Sequence, residues 1–588
     1  MNTVTIKPGL PGRPFEDNIF GVNAEITRKG YFGGLLAQMI NNRKLFSGSA
    51  APAGWECENF EYVKDRPEES LCRSSFVILR NGTMKQTSTI IATKHGEKYE
   101  AKVWVKALTG KAAVEFGPEG LARRFDVTAN GEKCVELSFE FPGTDTNNGT
   151  FVIKAEGDVA VFEASLMPSD NFYGMRRDVI AALKYIGPTS VRFPGGCASD
   201  HFEWRESLKA PEFRQPAEAR EKAWLLFPNS YDQDCLDIGI NEFMMLCREI
   251  GAEPEFTVSL LLSDGEDASK LVEYCNGDET TEYGAVRQSL GFDKFDIKYW
   301  FIGNEVYFFG FQYRDDGALA AKRTNELVHA MRRVDNTIVP ILGLTWGADL
   351  HKWNYDFVAN IDFDYEYVSF HDYIGILPDP TQGKNGLATL EMVEDLFSDG
   401  ESCGLNFYKN SLYPGRFSDI KVCADEWNYN WGQGSNNGLF LSNALQFQFF
   451  AKSGEKYHIK RAEFFMPVNE GMIFVNGNVC RIESTGELFR LMAGHKGGRI
   501  VECEAETKDI DILCTDHCEK LFMSVVDRRS ESLRLEIKGC RALTVAQIKT
   551  GEYSFDSNDF EVTGPEPSEI AEVSGHSVLF VTLEKDKT

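Results

Sequence analysis

The chain has 588 residues, 43% of them apolar and 26% charged, the balance of an ordinary globular protein long enough for more than one core. Its 62 Lys and Arg stand against 89 Asp and Glu, a formal charge of −27, which argues against nucleic acid and anionic membrane surfaces as partners. A neutral small molecule or neutral polymer fits that charge better.

The opening stretch "MNTVTIKPGLPGRPFEDNIFG" has no apolar core of the kind a signal peptide needs. No run of about 18 uncharged apolar residues occurs anywhere. A cytoplasmic location without a membrane span is therefore expected, and the 14 cysteines are expected to be reduced. "NTVTIKPG" alternates like a strand, and residues 1–17 are expected to join a β-sandwich formed by the far end of the chain. Next, "NIFGVNAEI" (18–26) reads as a strand and "GLLAQMINNRK" (34–44) as a helix, so 18–47 forms a first β/α unit.

Residues 48–167 interrupt that pattern. Alternating runs such as "SSFVILR", "YEAKVWVKAL", "KCVELSFEF" and "GTFVIKAEG", separated by turn residues, read as an inserted β-sandwich. From 168 to 497 short apolar runs alternate with amphipathic stretches. The strands are "TSVRFPGG" (189–196), "EPEFTVSL" (253–260), "KYWFIGNE" (298–305), "IVPILGLTWG" (338–347), "YEYVSFHDY" (365–373), "IKVCADEWN" (420–428) and "RAEFFMPVN" (461–469). Helices are predicted between them, at 240–251, 317–334, 387–400 and 442–454 among others. Seven such units plus the first make an α/β protein with a (β/α)8 TIM barrel. An open doubly wound sheet is the alternative, but no Gly-rich nucleotide turn follows the first strand. Residues 498–588 return to alternating patterns, "KLFMSVVDR" and "HSVLFVTLEK" among them, and read as a C-terminal β-sandwich. "CTDHCEK" places Cys514, His517 and Cys518 together without the second half of a zinc motif, so no metal is expected there.

A barrel carries its chemistry where its strands end. Those ends hold Glu25, Arg192 with Gly195, Gly196 and Cys197, Asn304 with Glu305, His371 with Asp372 and Tyr373, and Asp425 and Glu426 with Trp427 and Asn428. Glu305 and Glu426 close the fourth and seventh predicted strands, which a barrel sets across its mouth from each other. Either dipeptide alone could be a helix cap or a surface pair. Two facing carboxylates beside aromatics suit glycosidic cleavage, one carrying a proton and the other ionised. Carboxyl groups about 5 Å apart give retention and wider ones give inversion, a choice the sequence leaves open.

At these residues the chain resembles glycoside hydrolase family 51, the α-L-arabinofuranosidases. "WFIGNE" looks like the family's Gly-Asn-Glu motif and "ADEWN" like its Asp-Glu-Trp-Asn motif. "VRFPGGCASDHFEWRESL", "FGVNAEITRKGYFGGLLAQMINNRK" and "VSFHDY" are similar to three further segments, in the same order. The resemblance implies a retaining, exo-acting α-L-arabinofuranosidase with Glu305 as acid/base and Glu426 as nucleophile. It further implies that Glu25 and Asn304 hold sugar hydroxyls, that Arg192 keeps Glu426 ionised, and that His371 and Tyr373 orient the two acids. Trp427 would offer a flat face to the sugar, and Cys197 would line the pocket. The insert would be a carbohydrate-binding-like sandwich, the partner an arabinose-containing oligosaccharide, and the assembly a homo-oligomer, as members often are. No cofactor is implied. Departures fall at "VYFFGFQYR" after Glu305, at the "HDYIGILPDP" loop, and at Met466, where many members have a sugar-contacting Gln. Other retaining glycosidases of this fold, such as a β-xylosidase or endoglucanase, and a non-catalytic carbohydrate-binding protein are the competing readings.

Overall fold

The computed structural model describes residues 2–129, 134–218, 233–309, 311–345, 351–373, 420–429, 434–454, 457–507 and 510–586. Its centre is a closed barrel of eight parallel strands: β1 (Gly21–Asn23), β2 (Ser190–Phe193), β3 (Glu253–Val258), β4 (Tyr299–Ile302), β5 (Val339–Gly343), β6 (Tyr367–Tyr373), β7 (Lys421–Asn428) and β8 (Ile459–Phe465). Each pairs with the next in chain order, and β8 closes onto β1. These strands are short runs buried on both faces, which is why they read as continuous apolar stretches rather than alternating ones.

Helices pack outside the barrel. Helix α1 (Arg177–Ile186) ends at Gly187, whose φ of 74° forms a left-handed cap. Helices α2 (Ile240–Ile250) and α3 (Gly317–Val334) fall on the predicted segments, and α3 starts where the Asp316 side chain accepts from the Leu319 amide. Helix α4 (Asn437–Ser453) begins five residues before the predicted one, capped by Asn436 on the Leu439 amide. The helix predicted at 387–400 lies outside the described residues.

One predicted helix is not present. Residues 34–44 contain only the end of a π-turn, Tyr31–Leu35, followed by extended and turn backbone. The Gly33-Gly34 pair breaks the helical path: Gly33 has φ 76°, and a Cβ on Gly34 would overlap the Lys29 carbonyl. The spacing of Leu35, Leu36, Met39 and Ile40 that suggested a helical stripe reflects burial on two sides. The first pair belongs to the barrel's core and the second to that of the inserted domain. Gln38 fixes this crossing by accepting from the Ile40 and Leu166 amides, both at 3.0 Å, and donating to Ser165.

Each β-rich unit is one continuous hydrogen-bonded sheet folded over its own core. In the insert, strand Phe76–Ser88 pairs with Asp158–Pro168 through its first residues and with Gly149–Glu156 through its last. It bends at Asn81, where φ is 47°. At the other end of the chain, nine strands form a second sheet in which Asn2–Pro14 lies between Arg499–Ala505 and Leu533–Ile537. Among the described residues no helix is long and apolar enough to cross a membrane.

Candidate active site

The site is built on the C-terminal ends of β1, β2, β4, β6 and β7. A register shift decides its geometry. Phe370 on β6 pairs with Ala424, but the next residue, His371, pairs with Glu426, so Asp425 is an extra residue in β7. Such a bulge turns consecutive side chains toward the same face. Both acids therefore meet Arg192, with Asp425 Oδ2 at 3.3 Å from Nη2 and Glu426 Oε1 at 2.9 Å from Nη1.

Glu426 is surrounded by donors. Tyr373 Oη donates to its Oε2 at 2.8 Å, and Asn23 Nδ2 reaches Oε1 at 3.4 Å. Arg192 also donates to Asn304 Oδ1 at 2.9 Å, linking that amide to Glu426. Glu305 follows directly, with φ 43°, a left-handed conformation that side-chain-bearing residues adopt mainly where the surroundings impose it. His371 Nδ1 lies 2.8 Å from Glu305 Oε1 and 3.3 Å from Glu426 Oε2, between the two acids. Cys197 Sγ stands 3.8 Å from Glu305 Oε2 and 3.6 Å from Asn304 Nδ2. Glu25 Oε1 accepts from the Ala198 amide at 2.9 Å.

The glycines before Cys197 allow this closeness. A Cβ on Gly196 would overlap Glu426 Oε1, and one on Gly195, whose φ is 109°, would overlap Glu25. The Gly-Gly pair thus brings main chain against two carboxylates at once.

Eight of the nine residues singled out from the sequence converge here. Trp427 does not. It is fully buried on the helix side of β7, stacked on Phe489 at 5.8 Å and edge-on to Phe450 and Phe464. The bulge that turns Glu426 inward turns Trp427 outward, so its role is packing. The strand-end reading passes over Asn23, although it lies two residues before Glu25 and shares its face of the strand. It also gives Asp425 a place at the strand end without a role.

Electrostatics divide the groups. Burial opposes charge on His371, but Glu426, Asp425 and Glu305 outweigh it and hold the imidazole pKa well above its ordinary value. Burial also opposes the Asp425 carboxylate, yet Arg192 and His371 keep its pKa below the usual range. Glu426 is pushed up by burial, against the cations His371 and Arg192 and with the charges of Glu305 and Asp425. Glu25 is pushed up to about 7 by burial and then by Glu426. The imidazole thus lies with Nδ1 within reach of both carboxylates, which favour its charged form. Glu305, His371 and Glu426 offer donor atoms within 4.8 Å of one another, a spacing that could also hold a metal ion. Each of these side chains is already hydrogen-bonded within the group, and the Arg192 guanidinium faces Glu426.

Residues 182–373 match the family profile described as Alpha-L-arabinofuranosidase 1 domain. That segment is similar to this family's domain. Among curated proteins, a probable alpha-L-arabinofuranosidase C of Aspergillus fumigatus is 34% identical over 141 residues, 24% of this chain and 26% of that one. An extracellular exo-alpha-L-arabinofuranosidase of Streptomyces chartreusis is 25% identical over 349 residues, 52% of this chain and 42% of that one. The chain therefore spans less than half the length of either relative. Among solved structures, a family 51 alpha-L-arabinofuranosidase from Bifidobacterium longum superposes with a TM-score of 0.63 at 15% identity, covering 99% of this chain and 100% of that one. The alpha-L-arabinofuranosidase of Thermotoga maritima gives 0.58 at 20% identity over 70% and 90%. These superpositions establish a shared fold.

Proposed function

We propose that the protein is a retaining, exo-acting α-L-arabinofuranosidase that releases terminal arabinofuranosyl units from oligosaccharides. The observation that carries the reading is the convergence of Glu305 and Glu426, which bring one carboxylate oxygen each within 4.8 Å of the other, both within 3.3 Å of His371 Nδ1. That spacing suits double displacement and leaves little room for the water of an inverting reaction.

In this reading Glu305 gives a proton to the glycosidic oxygen as the C1–O bond breaks. Glu426 Oε2 or Oε1 forms a bond to C1 from the opposite face. Water then attacks C1, Glu305 takes its proton, and the Glu426–C1 bond breaks with a second inversion. Arg192, Tyr373 and Asn23 bind the nucleophile and disperse its charge. His371 Nδ1, 2.8 Å from Glu305 Oε1, orients the acid, which regains its proton from the attacking water.

Hydrolysis of aryl α-L-arabinofuranoside, aryl β-xyloside and β-glucan tests the substrate. Release from the furanoside alone is expected. A protein that spares the furanoside and cleaves one of the others is the β-xylosidase or endoglucanase of the competing reading. A binding protein without turnover would bind arabino-oligosaccharide equally well before and after Glu426→Ala and hydrolyse nothing.

A further inference from the structure

The turn after β1 carries a second charged residue whose position the reaction scheme does not use. Arg28 follows Glu25 by three residues and has φ 46°, a conformation that needs support from outside the turn. Glu470, in the loop after β8, supplies it. Its Oε1 accepts from Arg28 Nε at 2.9 Å and from Nη2 at 2.6 Å.

The guanidinium also lies over the Phe465 ring, 5.4 Å from its centre. The same ring meets Tyr373 edge-on at 5.8 Å, and Tyr373 is the donor to Glu426. Arg28 is thereby fixed in the wall beside Glu25 and Tyr373, and its charge opposes the upward shift of the Glu25 carboxyl. Its side chain is only 16% exposed. With Nε and Nη2 occupied, Nη1 has no hydrogen-bond partner among the described residues. Glu25 is in the complementary state: Oε1 accepts from Ala198, and Oε2 has no partner among the described residues.

Met466 leaves this wall to Arg28. It is buried at 2% exposure, and its Cε lies where a Cβ on Gly30 would be. A thioether at that place donates no hydrogen bond.

We propose that Glu25 and Arg28 together grip two neighbouring hydroxyl groups of the glycosyl unit, with Glu470 as the positioning residue that holds Arg28. Glu25 Oε2 accepts from one hydroxyl, and Arg28 Nη1 donates to the oxygen of the next. A carboxylate only accepts and a guanidinium only donates, so the pair measures a vicinal diol and rejects a ring lacking either oxygen. The inference rests on the reading of the cleft as a glycosidase site and adds a specificity residue to it.

The test compares an aryl α-L-arabinofuranoside with its 2-deoxy and 3-deoxy analogues on the wild type, Arg28→Met, Arg28→Lys and Glu470→Gln. Arg28→Met should lower kcat/KM on the parent glycoside about 10- to 100-fold, the usual effect of losing a charged hydrogen bond. One deoxy analogue should be poor for the wild type yet no worse for Arg28→Met. Glu470→Gln should fall between them, and Arg28→Lys should recover part of the loss. Kinetics of Arg28→Met within twofold of wild type, at an unchanged thermal midpoint, would overturn the proposal. So would deoxygenation losses of equal size in both proteins. If the wild type spares the furanoside and cleaves another glycoside, the substrate reading fails, and the same variants on the cleaved glycoside still judge the diol grip. If no glycoside is cleaved, calorimetric L-arabinose binding decides: weaker binding by Arg28→Met supports the grip, and equal binding overturns it.

Discussion

His371 Nδ1 stands 2.8 Å from Glu305 Oε1, so the imidazole of the sixth strand is hydrogen-bonded to the acid of the fourth. The same nitrogen is 3.3 Å from Glu426 Oε2, the nucleophile of the proposed reaction. The two carboxylates are therefore joined through one imidazole ring rather than placed independently.

Removing the acid separates substrates by leaving group. Glu305→Ala should lower kcat/KM on unactivated arabino-oligosaccharides by about 10²- to 10⁴-fold, the range of general acid catalysis. Dinitrophenyl glycosides, which leave without a proton, should keep their rate of glycosylation. Steady-state and burst kinetics on both classes check this, and equal losses would remove Glu305 from the acid's role.

Gly196 is a position where a small change reaches the site directly. Its Cβ would overlap Glu426 Oε1, so Gly196→Ala displaces the nucleophile while leaving every charge in place. Activity should drop about 100-fold, as misplacement on the order of 1 Å does elsewhere. Circular dichroism should show an intact fold.

Arg192 is fully buried between Asp425 and Glu426. Arg192→Met leaves two buried acids without their cation and should destabilise the protein by about 3–5 kcal/mol. The loss should shrink as the pH falls and the acids take up protons. Urea unfolding at pH 5 and pH 8 measures both the loss and its trend.

Glu25 gives a pH signature of its own. Its folded pKa of about 7 lies above the ordinary 4.5, so the folded state binds the proton more tightly than the unfolded chain. Stability from this group is complete below about 4.5 and lost as the pH rises through 7, by about 3 kcal/mol. Glu25→Gln should lack that loss. Thermal midpoints of the two proteins, compared from pH 4.5 to 8, should diverge in favour of the variant as the pH rises.

Much of this was readable from the residues. Apolar runs too short for helices located all eight barrel strands, and strand ends located Glu25, Arg192, Glu305, His371 and Glu426 on one face. The errors have one physical origin: periodicity assumes regular backbone. At β7 the extra residue Asp425 breaks the alternation, which carries Trp427 into the helix layer where a regular strand would face it to the sugar. At 34–44 the two glycines interrupt a pattern that otherwise fits a helix. Arg28 and Glu470 sit in loops, where no period operates, and only the fold brings them together.

The central claim is that Glu305 and Glu426 act on one anomeric carbon by two successive inversions. Proton NMR of an aryl α-L-arabinofuranoside hydrolysed in deuterated water shows which arabinose anomer forms first. The account predicts the α anomer, followed by mutarotation. The β anomer as first product would contradict it.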